Sequence, residues 1–511
     1  MKKHVFYFSY YMCAVLSAVF AIFHIYGLFS MIQLPSLNDA IVDRVTFPRF
    51  AQLRWIFIIA ALVLLAAFFF LDFIGQKKSY LSKGMLVLLK DKMSLTNVFI
   101  FFSAAVTFLS LIFIIAHKEV IWGYFLPEKG MPDYDSFMDF FNHISYSRDP
   151  SKVYFQSVHA CFPPLAYVFY YAISLILPSD ATIMYNAVDT QYSALIVYIV
   201  YFVLCVVAFA FLMMAIMKKL KLNYTVTVIF LLLSSNIFIF EVLERGNSVL
   251  IVTLLLLAAI WLKDSPKAYC REIALICIAV AAGFKVYPAL FGFMYLREKR
   301  IKEGFRLLIY GIIFFFLPFA FFGGFEGLLQ FFRNQSQVQG GSYAFVYSIK
   351  STVRYISALI YQGDVHRLDL LASASQILFI LVNFACFFNK RLSSWERAFL
   401  LCSIMAFGPA WSGGYTSIFF TVPLAILLGD CSLSVATNRK YRNKNTYLTL
   451  VAILFAFTFC LNMFVLPNGI ALKNFGCIPL YIINLMILGN IACKAFFDFR
   501  AKLLEKRATM L

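Results

Sequence analysis

Residues 131–164 read MPDYDSFMDFFNHISYSRDPSKVYFQSVHACFPP. Long apolar runs lie on both sides. The stretch gathers Asp133, Asp135, Asp139 and Asp149 with Asn142, His143, Arg148, Lys152 and His159. A solvated loop could carry such a set. A chain this apolar, however, has little reason to concentrate so many polar groups in one loop unless the loop has a task.

Working outward, the 511 residues are 62% hydrophobic and 14% charged, against roughly 25% charged in a soluble domain. The apolar runs reach the length of about 20 residues that a spanning helix needs. They lack the dyad alternation of an outer-membrane barrel. The expected fold is therefore an all-α polytopic membrane protein. A net charge of +19 would point to nucleic acid in a soluble chain. Here it reflects Lys and Arg held in cytoplasmic loops, and no nucleic-acid partner is expected. The 11 cysteines contain no C-x-x-C pair, so neither a zinc site nor a disulfide framework is indicated.

Charge sets the topology. A basic start and the lysines Lys77, Lys78, Lys83, Lys90 and Lys92 belong inside, which puts the acidic stretch outside. The apolar segment 162–178 follows it. If that segment crossed, Lys218, Lys219 and Lys221 would land outside. It is therefore expected to lie at the outer interface, its paired prolines opening a helix. Segment 273–295 carries Lys285 and Pro288 in its middle, between Arg271 and the cluster Arg297, Lys299, Arg300, Lys302 and Arg306. Both flanks read as cytoplasmic, so the chain must turn back near Lys285. Two arms of about 12 residues reach roughly 18 Å each. With that hairpin counted as two, the pattern predicts about 14 crossings, with the N- and C-termini cytoplasmic in the plasma (inner) membrane. Three regions are expected. Residues 1–95 form two N-terminal helices and a basic loop. Residues 96–430 form the core, with outer loop 118–190 and outer segment 323–369. Residues 431–511 form C-terminal helices and a basic tail.

Several residues on the outer face have chemistry to offer. Asp135 and Asp139, four apart, would share one helix face. They could act as a general base or hold a divalent cation, and no other cofactor is indicated. Two solvated acids would look the same in sequence. Lys285, ionisable within an apolar segment, is a functional candidate by default, with snorkelling to the interface as the alternative. Arg245, in ERGN, could bind an anion or anchor the interface against Glu241 or Glu244. Arg333, Lys350 and Arg354 of the long outer segment are candidate phosphate ligands. Carboxylates on one rim and cations on another suit transfer chemistry on an anionic lipid, with the cations stabilising a phosphate leaving group.

Three stretches give the pattern a resemblance. They are DSFMDFFN ahead of CFPPLAYVFYY, then ERGNSVLIVTLLLLAAIWL, then AAGFKVYPALFGFMYLREKR. In this order they resemble the integral-membrane type-C glycosyltransferases, most of all glycosyltransferase family 87. The likeness implies a type-C helical bundle, with an interfacial helix in the acidic outer loop. It implies a polyprenyl-phosphate-linked sugar donor, a cell-envelope glycan or glycolipid acceptor on the extracytoplasmic face, and an outer-loop Asp as base. That role falls on Asp139 or Asp135. Lys285 and Arg245 would hold donor phosphate, and His143, Asn247 and Tyr287 would meet substrate. The chain departs from the family in having Phe162 where a Tyr precedes the two prolines. In the late span, GPAWSGGYT carries no His. A flippase for lipid-linked sugars and a glycan polymerase or ligase remain competing readings.

Overall fold

The computed structural model describes residues 48–77, 95–116, 137–177, 192–235, 237–243, 245–338, 347–360, 366–410, 412–431, 442–460, 463–465, 471–473 and 476–508, and a few positions among the first 21. Asp133, Asp135, the inner lysine loop beyond Lys77 and Glu244 lie outside the described residues.

The architecture is helical. In chain order the helices are α1 (Pro48–Lys77), α2 (Leu95–Ala116), α3 (Met138–Ser147), α4 (Pro164–Ser174), α5 (Tyr192–Ile216), α6 (Leu222–Leu233), α7 (Val249–Leu262) and α8 (Ala268–Phe284). There follow α9 (Phe293–Arg297), α10 (Ile301–Phe316), α11 (Gly324–Val338), α12 (Ile349–Ile360), α13 (His366–Phe387), α14 (Ser394–Phe407), α15 (Thr421–Cys431), α16 (Arg442–Cys460) and α17 (Cys477–Ala508). One small departure from an all-α chain is the antiparallel ribbon of β1 (Met463–Val465) and β2 (Ala471–Lys473).

Among the described residues, three helical stretches, Ser193–Ile216, Ile301–Ala320 and Leu368–Phe387, are long and apolar enough to cross a membrane. The last two bury only 17% of their apolar window inside the protein, against 44% for the first. Phe305, Leu308, Ile312 and Phe316 on α10 and Leu370, Ile377, Leu378 and Leu381 on α13 all face outward. A contiguous apolar surface of that kind is stable against lipid and not against water.

The expected 14 crossings are not reproduced as full-length helices. The run 224–241 is interrupted: α6 ends at Leu233, and a π-helix, Ile237–Leu243, follows. The interrupting segment IFIFEVL contains neither glycine nor proline, and the local cue is the polar run Ser234-Ser235-Asn236 just ahead of it. Segment 162–178 yields α4, an 11-residue helix of about 16 Å. That is too short to span, as its interfacial assignment requires.

The hairpin at Lys285 is present. α8 runs 17 residues to Phe284, about 25 Å and longer than the arms expected. Lys285 is extended, with φ −146° and ψ 131°. A 3-10 helix, Tyr287–Gly292, with Pro288 in its first turn, then begins the return through α9. Ion pairs join the two flanks. Lys263 Nζ lies 2.7 Å from Glu298, Arg300 Nη1 3.0 Å from Asp264, and Arg271 Nε 3.6 Å from Glu303. These partly buried pairs together fix both ends of the excursion at one surface. α7 packs between α5 and α8, and α8 packs on α10. α4 crosses beside the end of α8. Gly283 permits this, because a Cβ there would sit 2.6 Å from the Leu165 side chain.

Cysteines introduced at Ser265 and Lys299, in a background without native cysteines, are expected to react with an impermeant thiol reagent from the same side of the membrane. Labelling from opposite sides would make 268–297 a simple crossing.

Candidate active site

α3 begins with Phe137, whose φ of 60° is unusual for a bulky side chain. The conformation is held because Phe137 is fully buried, its ring 4.5 Å from that of Tyr198. Asp139 follows in the first turn of α3, where the helix N-terminus favours a carboxylate.

The partner loop is the glycine turn after the π-helix. Gly246 adopts φ +65°, and a Cβ there would lie 2.9 Å from Phe140 Cβ. Only glycine fits this conformation and approach without strain. The contact seats residues 245–247 on α3. Tyr198 donates its hydroxyl to the Leu243 carbonyl and packs its ring on Phe140, 5.0 Å away, so it braces both sides of the joint. Arg245 Nε then lies 3.3 Å from Asp139 Oδ1, and Asn247 Nδ2 donates to Asp139 Oδ2. Asn247 also accepts from the Val249 backbone N–H, 3.1 Å away, at the start of α7.

Lys285 completes the group from the hairpin turn. Its Nζ stands 3.3 Å above the Phe162 ring centroid, a cation–π contact strengthened where water is scarce. Phe162 in turn stacks on His143, ring centroids 3.9 Å apart. Tyr170 and Tyr167 close the aromatic wall around His143 at 5.4 and 5.6 Å.

The electrostatics follow from these neighbours. Burial alone would raise the Asp139 carboxyl. The Arg245 guanidinium, the Asn247 amide and the Lys285 charge outweigh it and hold Asp139 below the usual carboxylate range. Burial pushes His143 down to about 3. The imidazole is therefore neutral at physiological pH, and Arg245 and Lys285, with the Asn247 amide, keep Asp139 ionised. His143 Nδ1 is buried without a hydrogen-bond partner among the described residues.

Of the residues singled out in the sequence, Asp139, His143, Arg245, Asn247 and Lys285 come together. Tyr287 lies nearby in the 3-10 helix, its ring 5.7 Å from Phe419. The three cationic candidates of the outer segment lie differently. Arg354 is 8% exposed and pairs with Asp369 at 2.6 Å, tying α12 to α13. Arg333 is exposed on α11 and Lys350 is half-buried on α12. No hydrogen bond or ion pair among the described residues joins either to Asp139. Among the described residues no group of three His, Cys, Asp or Glu is placed to hold a metal ion.

Two functional neighbours carry little sequence signal. Phe162 has no polar atom to advertise its contact with Lys285. Tyr415, in GGYT, lies within electrostatic reach of both Asp139 and Arg245. It shows that the late GPAWSGGYT patch approaches the site despite its missing His.

Glycosyltransferase family 87 matches residues 161–412, a stretch that includes Phe162, Arg245, Asn247, Lys285 and Tyr415. Over that stretch the chain is a member of glycosyltransferase family 87. Searches of curated proteins and of solved structures returned no match. Family 87 membership makes the chain a sugar-transferring enzyme, and the lipid-facing helices make it a membrane protein. Asp139 and α3 lie ahead of the matched stretch and dock onto it through Gly246.

In this family 87 enzyme, Gly246→Ala is expected to lower stability by about 1–3 kcal/mol, from the left-handed backbone and the Phe140 clash. Gly311→Ala serves as control, since a Cβ there meets nothing within 4 Å. A lowered melting midpoint for Gly246→Ala alone is the expected result. Equal midpoints would mean that the loop is not seated as described.

Proposed function

We propose that the enzyme transfers a sugar from a polyprenyl-phosphate donor to a glycan or glycolipid acceptor at the extracytoplasmic face of the plasma (inner) membrane. Asp139 acts as general base, and Lys285, with Arg245 beside it, holds the donor phosphate. The observation that supports this most is the convergence of one buried carboxylate with two cations from distant segments.

The acceptor hydroxyl oxygen attacks the anomeric carbon. The bond from that carbon to the phosphate oxygen breaks, and the electron pair leaves with the phosphate. Lys285 offers that anion a compact charge with three donors, placed where negative charge accumulates. The hydroxyl proton passes to Asp139. A depressed carboxylate suffices as acceptor, because the attacking oxygen becomes strongly acidic only as the new bond forms. Arg245 and Asn247 fix the carboxylate in place, so orientation is supplied before substrate arrives. His143 and the surrounding tyrosine rings are buried behind Phe162 and brace the ring on which Lys285 rests. Tyr287, by Phe419, borders the same region.

The pattern of the outer segment fits a supporting role, with Arg354 engaged by Asp369. About 14 crossings with cytoplasmic termini remain the arrangement that the distribution of Lys and Arg favours, with short and broken helices completing the spans.

Reconstituted enzyme should move label from a radioactive polyprenyl-phosphate sugar to acceptor without ATP. Asp139→Asn should lower turnover by about 100-fold or more, the scale of a lost general base. Near-normal turnover in this variant would place the base elsewhere. Lys285→Met should weaken binding of polyprenyl phosphate while leaving expression intact, and unchanged binding would return Lys285 to a snorkelling role.

The pH profile offers a separate check. A depressed carboxyl is ionised above its folded pKa and loses that state only as pH falls through it, so wild-type activity should persist well into acid. Arg245→Gln removes the nearest cation, and the acid limb should move upward by about 1–3 pH units. An unmoved limb would show that Asp139 does not set it.

A further inference from the structure

Asn334, on the inner face of α11, is 1% exposed. Its Nδ2 donates to three backbone carbonyls: Tyr154 at 2.9 Å, Ser157 at 3.3 Å and Ala160 at 3.0 Å. Its Oδ1 accepts from Gln330 at 3.0 Å. The next residue, Gln335, donates to the Cys161 carbonyl. One amide pair therefore satisfies the non-helical backbone that leads to Phe162. Tyr154 continues the chain of contacts, its hydroxyl donating to the Phe162 carbonyl at 3.0 Å. Phe162 carries the ring on which Lys285 rests. The opposite face of α11 exposes Phe325, Leu329 and Phe332, one apolar stripe at helical spacing. The helix thus lies with its apolar side outward and its amide side on the loop.

We infer that Asn334 is a positioning residue for donor binding. It fixes the 154–162 loop so that the Phe162 ring holds the Lys285 ammonium where the donor phosphate binds. The inference rests on the phosphate role given to Lys285 above. Buried carbonyls are costly to leave unpaired, roughly 1–3 kcal/mol each, so the loop has one strongly preferred path while Asn334 is present. Without it the loop relaxes, the ring moves, and the ammonium loses its seat. Neither Asn334 nor Gln335 reaches Asp139, so the effect should fall on donor affinity through Lys285.

The test is a double-mutant cycle on purified full-length protein, reading the Kd of short-chain polyprenyl phosphate together with the melting midpoint. Asn334→Ala is expected to raise Kd about tenfold in the wild-type background, the equivalent of about 1.4 kcal/mol. In the Lys285→Met background it should change Kd by less than about twofold, because the group it positions is gone. A similar loss in both backgrounds would make Asn334 merely structural and overturn the inference. So would wild-type affinity in Asn334→Ala, and in that case a weakened Lys285→Met would leave the phosphate reading standing. Wild-type affinity in Lys285→Met would remove both. If Asn334→Ala does not fold, Gln335→Leu takes its place. It removes the hydrogen bond to the Cys161 carbonyl and leaves Asn334 in place, with a Kd loss that must again depend on Lys285.

Discussion

A carboxylate removed from water must be met by charge or by hydrogen-bond donors, and Asp139 is met by both. Its two oxygens are divided between a guanidinium and an amide that stand two residues apart in one turn. A buried charge left unpaired costs several kcal/mol. The path of the chain from the π-helix through Gly246 to α7 is therefore tied to the position of α3. Remove the glycine conformation and the two donors cannot straddle the carboxylate together.

The second constraint is aromatic. Phe137, Phe140, Tyr198, Phe162, Tyr167 and Tyr170 fill the space between α3, α4 and α5 with rings that alternate between edge-on and tilted contacts. Such packing contributes about 0.5–1.5 kcal/mol per pair beyond burial. It also excludes water from the carboxylate and the lysine, which strengthens every charge interaction there. Rigidity at the site thus comes from rings, while polarity is confined to a few atoms.

Charge made part of the site legible in sequence. Asp139, in its polar stretch, Arg245 and Asn247, in ERGN, and Lys285, within an apolar segment, all stand out against the apolar chain around them. The same signal marked Arg333, which is exposed on α11, and Arg354, which pairs with Asp369. Asn334, next to Arg333, does the inward work but is uncharged, and its partners lie 174 to 180 residues away as bare carbonyls. Its one visible cue is an adjacent amide pair on the inner side of an amphipathic helix. The turn at Lys285 could be read from basic flanks and Pro288. The break after Leu233 had only the short polar run Ser234-Ser235-Asn236 to mark it, and the π-helical winding that follows has no marker of its own.

The site's partners are distant along the chain, and this bears on how the protein is made. Asn247 meets Asp139 across 108 residues. At about 5–20 residues per second, Asp139 leaves the ribosome roughly 5–20 s before the turn that will neutralise it. Throughout that interval the carboxylate has no counter-charge, and water is the only medium that can hold it. Asp139 must therefore stay hydrated until the turn at 245–247 has been made. Docking of α3 then follows the emergence of α7, and the loop carrying Phe162 is secured later still, when α11 arrives. Synthesis thus delivers the scaffold first and closes the reactive corner near its end.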